Sequence, residues 1–156
     1  MQACGFLFDY DYLFLPKLIS TMGKLTSTSY TTGAFNAGTL FLRLGLGGLL
    51  MAHGYDKLVN FAKYKEQFIN FLGIGQSASL ALVVFAEFFC ALFVLIGLFT
   101  RFAAIAIIVV MCVALFKAHN GHIFSDGEMA ALYLSGYIAL LFIGPGKISV
   151  DGMMGK

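Results

Sequence analysis

The stretch Ala78 to Phe99 (ASLALVVFAEFFCALFVLIGLF) carries a single charge, Glu87, near its middle. A helix of about 20 apolar residues, rising about 1.5 Å per residue, covers the hydrocarbon core of a bilayer. A carboxylate at that depth costs ~2.5–3.5 kcal/mol even on insertion scales. Such a group persists where it meets a partner, a cavity or a ligand, so Glu87 is the first candidate for function.

The rest of the chain has the same character. Hydrophobic residues make up 60% and charged residues 12%, against about 45–50% and about 25% in ordinary globular domains. With a mean hydropathy of +0.87, this is the composition of an integral membrane protein. The apolar runs do not alternate with polar residues, which selects helices and excludes a β-barrel. A net charge of +2 without a basic cluster excludes a nucleic-acid partner. Cys4, Cys90 and Cys112 show no CxxC or zinc spacing. Cys90 and Cys112 read as small buried hydrophobes, with a redox pair across two helices as the alternative.

The fold expected is an all-α, four-helix transmembrane bundle, residues 36–156, preceded by an N-terminal extension, residues 1–35. In the extension, Phe6 to Leu15 carries Asp9 and Asp11 and stops at Pro16, too short and broken to span, and it lacks the features of a signal peptide. Thr26 to Thr32 reads as an exposed linker. Met22 opens MGKLTS, a formal but internal myristoylation match. The simpler expectation is that Met22 is the true start.

The first span is expected from Asn36, as cap, to Val59, with Gly45, Gly47, Gly48, Ala52 and Gly54 giving it a small face for close helix packing. Asn60 to Gln76 has apolar residues at helical spacing, which suggests a short amphipathic interfacial helix or an aromatic-anchored loop. The second span is Ala78 to Phe99, and the third runs from Arg101 to Lys117 with Thr100 as N-cap. Ser125 and Glu128 match a capping box opening the last span, Glu128 to Ile143, and Gly144-Pro145-Gly146 stops it. Four spans put both termini on one side, and a small excess of Lys and Arg there makes that side cytoplasmic.

These bounds put Glu87 about 13 Å and His53 roughly 8 Å below the loop side, with Arg43 about 10 Å in from the opposite side. Arg43, His53 and Glu87 therefore form the expected buried polar centre: a Glu87–Arg43 ion pair, or a Glu87–His53 pair able to hold a proton. Lys57, His119, His122 and Glu128, with Asp126 nearby, line one mouth of the bundle, where cofactor sites are commonly built. A metal at His119-x-x-His122 is only weakly indicated, and no metal ligand is assigned. The plainer account is a solvated loop with Lys57 snorkelling to the interface. Tyr55, Tyr133 and Tyr137 can donate to a quinone head but read first as interfacial belt residues.

Several of these residues carry a resemblance. Arg43-Leu44-Gly45, His53-Gly54 and Lys57 are followed by Glu87 and by Gly97-Leu98-Phe99-Thr100-Arg101. His119 with Gly127-Glu128, then Gly144-Pro145-Gly146, Ser149 and Asp151, complete the series. In order and spacing this resembles the DoxX family of small four-helix bacterial membrane proteins, over about Leu42 to Asp151. The resemblance implies a multi-pass protein of the cytoplasmic membrane. It also implies a redox setting, since some relatives look like membrane subunits of thiosulfate:quinone oxidoreductases.

No haem, flavin or iron–sulfur motif is present, so the expected role is a quinone-proximal or membrane-anchoring subunit of an oxidoreductase system rather than a self-sufficient enzyme. Its partners would be the bilayer, a redox subunit and a second copy of the chain. The rival is a non-enzymatic scaffold whose buried charges lock the bundle.

Overall fold

A computed structural model of the chain describes residues 27–155. The described residues fall into two units divided after Thr32. Of the first, residues 27–31 are non-helical and exposed, and the Ser29 N–H donates to Ser27 Oγ at 3.2 Å. The aromatic N-terminal stretch and Met22 lie outside the described residues.

All regular structure among the described residues is helical. α1 (Thr32–Val59), α3 (Gln76–Ile96) and α4 (Thr100–Ala118) are long and apolar enough to cross a membrane. α5 (Glu128–Ile143) has 16 residues, about 24 Å at 1.5 Å per residue. Two four-residue helices, α2 (Phe61–Tyr64) and α6 (Val150–Met153), lie in the connections. In lipid each backbone amide must be satisfied within its own segment, which long runs of Leu, Val, Ile, Ala and Phe do as helix.

The helices form a bundle in which α4 packs on α5 and α3, while α1 closes against α3 and α5. Gly47 and Gly54 bring α1 close to α3: a Cβ on Gly47 would meet Ala91 O at 3.0 Å, and one on Gly54 would meet backbone atoms of Glu87 and Phe88 at 2.5 Å. On the other side the Tyr137 hydroxyl of α5 donates to Leu46 O at 3.1 Å. Leu50, Cys90, Ile107, Leu115 and Leu140 fill the core. Phe41, Phe102 and Phe142 point outward, as lipid-facing residues do.

Two helices contain a wider, π-helical turn: Phe85–Cys90 within α3 and Ala114–Ala118 at the end of α4. Such a turn inserts one residue, so the helix beyond it is rotated by about 100° relative to a regular one. Glu87 lies in the first of them.

Several local expectations are corrected. α1 starts at Thr32, so Asn36 is not its cap; its side-chain oxygen accepts the Lys147 N–H at 2.9 Å. Residues 60–76 do not form one amphipathic helix. α2 and a 3-10 turn at Phe71–Gly73 are separated by irregular chain, and Leu72 adopts a left-handed φ of 52°. Thr100 does not cap α4; it is the first helical residue, and its neighbour Phe99 is left-handed. The Ser125–Glu128 capping box does not form either: Gly127 precedes α5 without a side-chain cap, and Glu128 N–H reaches the Ser125 carbonyl instead. α5 itself begins and ends as expected, with Gly144 turning the chain at φ 84°.

Candidate functional site

Glu87 is held by Lys57. The ammonium donates to Glu87 Oε2 as an ion pair, with the lysine side chain 27% exposed and the glutamate 6%. Gly54 explains how the two meet. Lacking a side chain, it lets α1 rest on the wide turn of α3, and Lys57, one turn further along α1, then overhangs Glu87.

The pair borders a cleft of about 510 Å³, within the range of small-molecule sites. Phe68 and Phe71 from the α2–α3 connection line it, together with Phe85 of α3 and Val110 and Val113 of α4. Both wide turns border it, through Phe85–Glu87 and through Ala114 and Ala118. Leu82 and Val109, each about half exposed, sit at its rim, so the cleft opens sideways onto the outer face of the bundle. Among the described residues its polar lining is Lys57, Glu87, His119 and Ser79. Ser79 is already used: its hydroxyl accepts the Phe71 N–H at 3.0 Å and donates to Gly75 O at 2.8 Å. Lys57, Glu87 and His119 remain to meet a ligand.

The expected centre is thus rearranged. Arg43 does not pair with Glu87, because it lies about 21 Å from Lys57 along α1 at 1.5 Å per residue. At that end its Nη2 donates to the Ile148 carbonyl, and Asp151 is the carboxylate that acts on it electrostatically. His53 is exposed and rests edge-on against Tyr133, ring centroids 6.3 Å apart. Of the expected mouth, Lys57 and His119 line the cleft, whereas His122, Asp126 and Glu128 are exposed and do not. Among the described residues no three His, Cys, Asp or Glu side chains cluster as metal ligands do. Tyr133 and Tyr137 are bundle core rather than belt, while Tyr55 is exposed. Cys90 and Cys112 are both free thiols.

At the lip of the site the Asp56 carboxylate accepts from Asn60 Nδ2 at 2.8 Å and from the Tyr64 hydroxyl at 2.7 Å. That hydrogen bond holds the Tyr64 phenol above its ordinary pKa.

A second polar cluster, at the terminal end, belongs to the framework. Asp151 Oδ1 and Oδ2 accept the Phe99 and Thr100 N–H groups, each at 3.0 Å, and so cap α4. The Asp151 N–H returns to Gly97 O at 2.9 Å. Gly97 takes φ 76° there, and a Cβ on it would overlap the Arg43 guanidinium. The polypeptide after α5 therefore ties α1 to the α3–α4 hairpin. Sequence reasoning assigns no role to Asp151, although the Gly97–Arg101 and Gly144–Asp151 segments that meet here both contribute to the family resemblance.

No curated protein and no solved structure matches the chain. A family model does: DoxX matches residues 38–120, more than half of the chain, and takes in Lys57, Glu87 and His119. The chain belongs to the DoxX family and is a helical membrane protein.

Proposed function

We propose that the protein is a cytoplasmic-membrane component of an oxidoreductase system that holds a quinone-class amphiphile in the cleft between α3 and α4. The observation that carries this reading is an apolar, laterally open cavity bordered by a largely buried ion pair. A quinone has a flat head with two carbonyl acceptors and an apolar tail. Lys57 and His119 are donors suited to the carbonyls, and Phe85, Val110 and Val113 suit the tail. When bound, a quinone supplies two-electron, two-proton redox chemistry. The chain's share is to orient the head through Lys57, to keep a proton-accepting carboxylate beside it in Glu87, and to exclude water with lining aromatics such as Phe68 and Phe71. Haem, flavin or iron–sulfur chemistry would come from a partner subunit. Both termini are assigned to the cytoplasm in this scheme.

A second reading, a scaffold whose charges lock the helices, draws on the direct closure of Lys57 onto Glu87 beside Gly54. Reconstitution with a short-chain quinone separates the two. Cleft binding predicts quinone co-purification that weakens when Lys57→Gln and Glu87→Gln are combined. A lock predicts lower thermal stability in Glu87→Gln and no quinone bound to the wild-type protein.

A further inference from the structure

We infer that Glu87 makes the cleft selective for amphiphiles with neutral heads and closes it to anionic ones such as fatty acids; this rests on the cleft being a ligand site.

The selectivity follows from the charges that line the cleft. Among the described residues that line it, Lys57 is the one lysine or arginine and Glu87 the one acid, with His119 the other ionisable side chain, and Lys57 and Glu87 are joined as an ion pair. Asp56, the acid beside Lys57 on α1, is taken up by Asn60 and Tyr64. Glu87 is the acceptor that Lys57 reaches among the described residues, and the lysine side chain is still 27% exposed. An ammonium has three donors, so N–H groups remain for an incoming oxygen. A neutral carbonyl or hydroxyl can accept one of these without disturbing the ion pair.

An anionic head has two courses, both unfavourable. Sharing Lys57 puts two carboxylates on one ammonium inside an apolar cleft, where like charges repel strongly. Displacing Glu87 leaves that carboxylate, only 6% exposed, buried without a counter-charge. Glu87 thus occupies from within the place an anionic ligand would take. The same reasoning predicts an inversion. Glu87→Gln keeps the shape and leaves Lys57 unbalanced, so an anionic head becomes the missing counter-ion.

The test uses the full chain in zwitterionic nanodiscs at a pH that ionises fatty acids. Two photoreactive probes of equal chain length, a fatty alcohol and the fatty acid, are compared by mapping labelled peptides. Alcohol should label the cleft peptides of the wild type at least about tenfold over acid, a modest fraction of what an uncompensated buried charge costs. Acid should dominate in Glu87→Gln, and Lys57→Gln should retain the preference for alcohol, since its cleft still carries Glu87. The wild-type comparison of the two probes keeps the test decisive should either variant not fold. Equal cleft labelling of the wild type by both probes, acid labelling of Lys57→Gln, or a folded Glu87→Gln that still favours alcohol would overturn the selectivity while leaving the cleft as a ligand site. Absence of cleft labelling by either probe in the wild type would overturn the ligand site itself.

Discussion

Gly54→Ala adds one methyl group where α1 crosses the wide turn of α3. The new Cβ would lie 2.5 Å from Glu87 C and Phe88 N and 2.8 Å from Glu87 O. Carbon contacts are comfortable at about 3.5–4.0 Å, so α1 must retreat by roughly 1 Å. The obstructing atoms are backbone, and no rotamer change can absorb the clash. Overpacking of this kind costs about 1–3 kcal/mol. Alanine's better helix propensity returns about 0.8–1.0 kcal/mol, leaving a net loss of about 0–2 kcal/mol. The retreat also draws the Lys57 ammonium away from Glu87, so ligand binding in the cleft should weaken with stability. Gly45→Ala is the internal control, because a Cβ there meets nothing within 4 Å; it should stabilise α1 by about 0.5–1 kcal/mol. Equilibrium unfolding in detergent measures both. If Gly54→Ala proved as stable as Gly45→Ala, with cleft binding unchanged, the close approach would not be what holds Glu87 in position.

Asp151→Ala removes the acceptor for two amide groups at the start of α4 and the carboxylate acting on Arg43. Loss of a helix cap costs about 0.5–2 kcal/mol, and the buried guanidinium raises the total to about 2–4 kcal/mol; thermal melts should rank wild type above Asp151→Asn above Asp151→Ala. Tyr137→Phe deletes the hydrogen bond to the Leu46 carbonyl and should cost only about 0.6–1.5 kcal/mol in the same assay, as single polar contacts between membrane helices do. Lys57→Met strands Glu87 in an apolar cleft, so it should lose about 3–5 kcal/mol. The Lys57→Met, Glu87→Gln double variant should recover most of that loss in a double-mutant cycle.

The bundle was legible because the apolar runs are long, lack breakers and leave lipid no alternative to helix. The bounds of α5, Glu128 to Ile143, could be read directly. Glu87 stood out as a buried charge, and Lys57 and His119 were found on its side of the membrane. Its partner was misassigned because depth counted at 1.5 Å per residue ranks residues along a helix but says little about direction around it. The wide turn at Phe85–Cys90 shifts that direction, and no residue type in FAEFFC announces it. Asp151 was hidden for another reason: it caps an amide 51 residues away, whereas capping rules look a few residues along the chain. Lys57 was placed at the mouth of the bundle, not on Glu87, because Gly54, which seats it over Glu87, looked like one of several packing glycines.

The function proposed above has a quinone held in the cleft between α3 and α4. Its most direct test is the quinone retained per chain after gentle detergent extraction, in the wild type and in Val109→Trp. Val109 lines the cleft and is about half exposed, so an indole there can fill the space with little effect on folding. Retained quinone in the wild type, and its loss in a Val109→Trp protein that melts normally, is the expected result. Equal quinone in both proteins, or none in either, would contradict the claim.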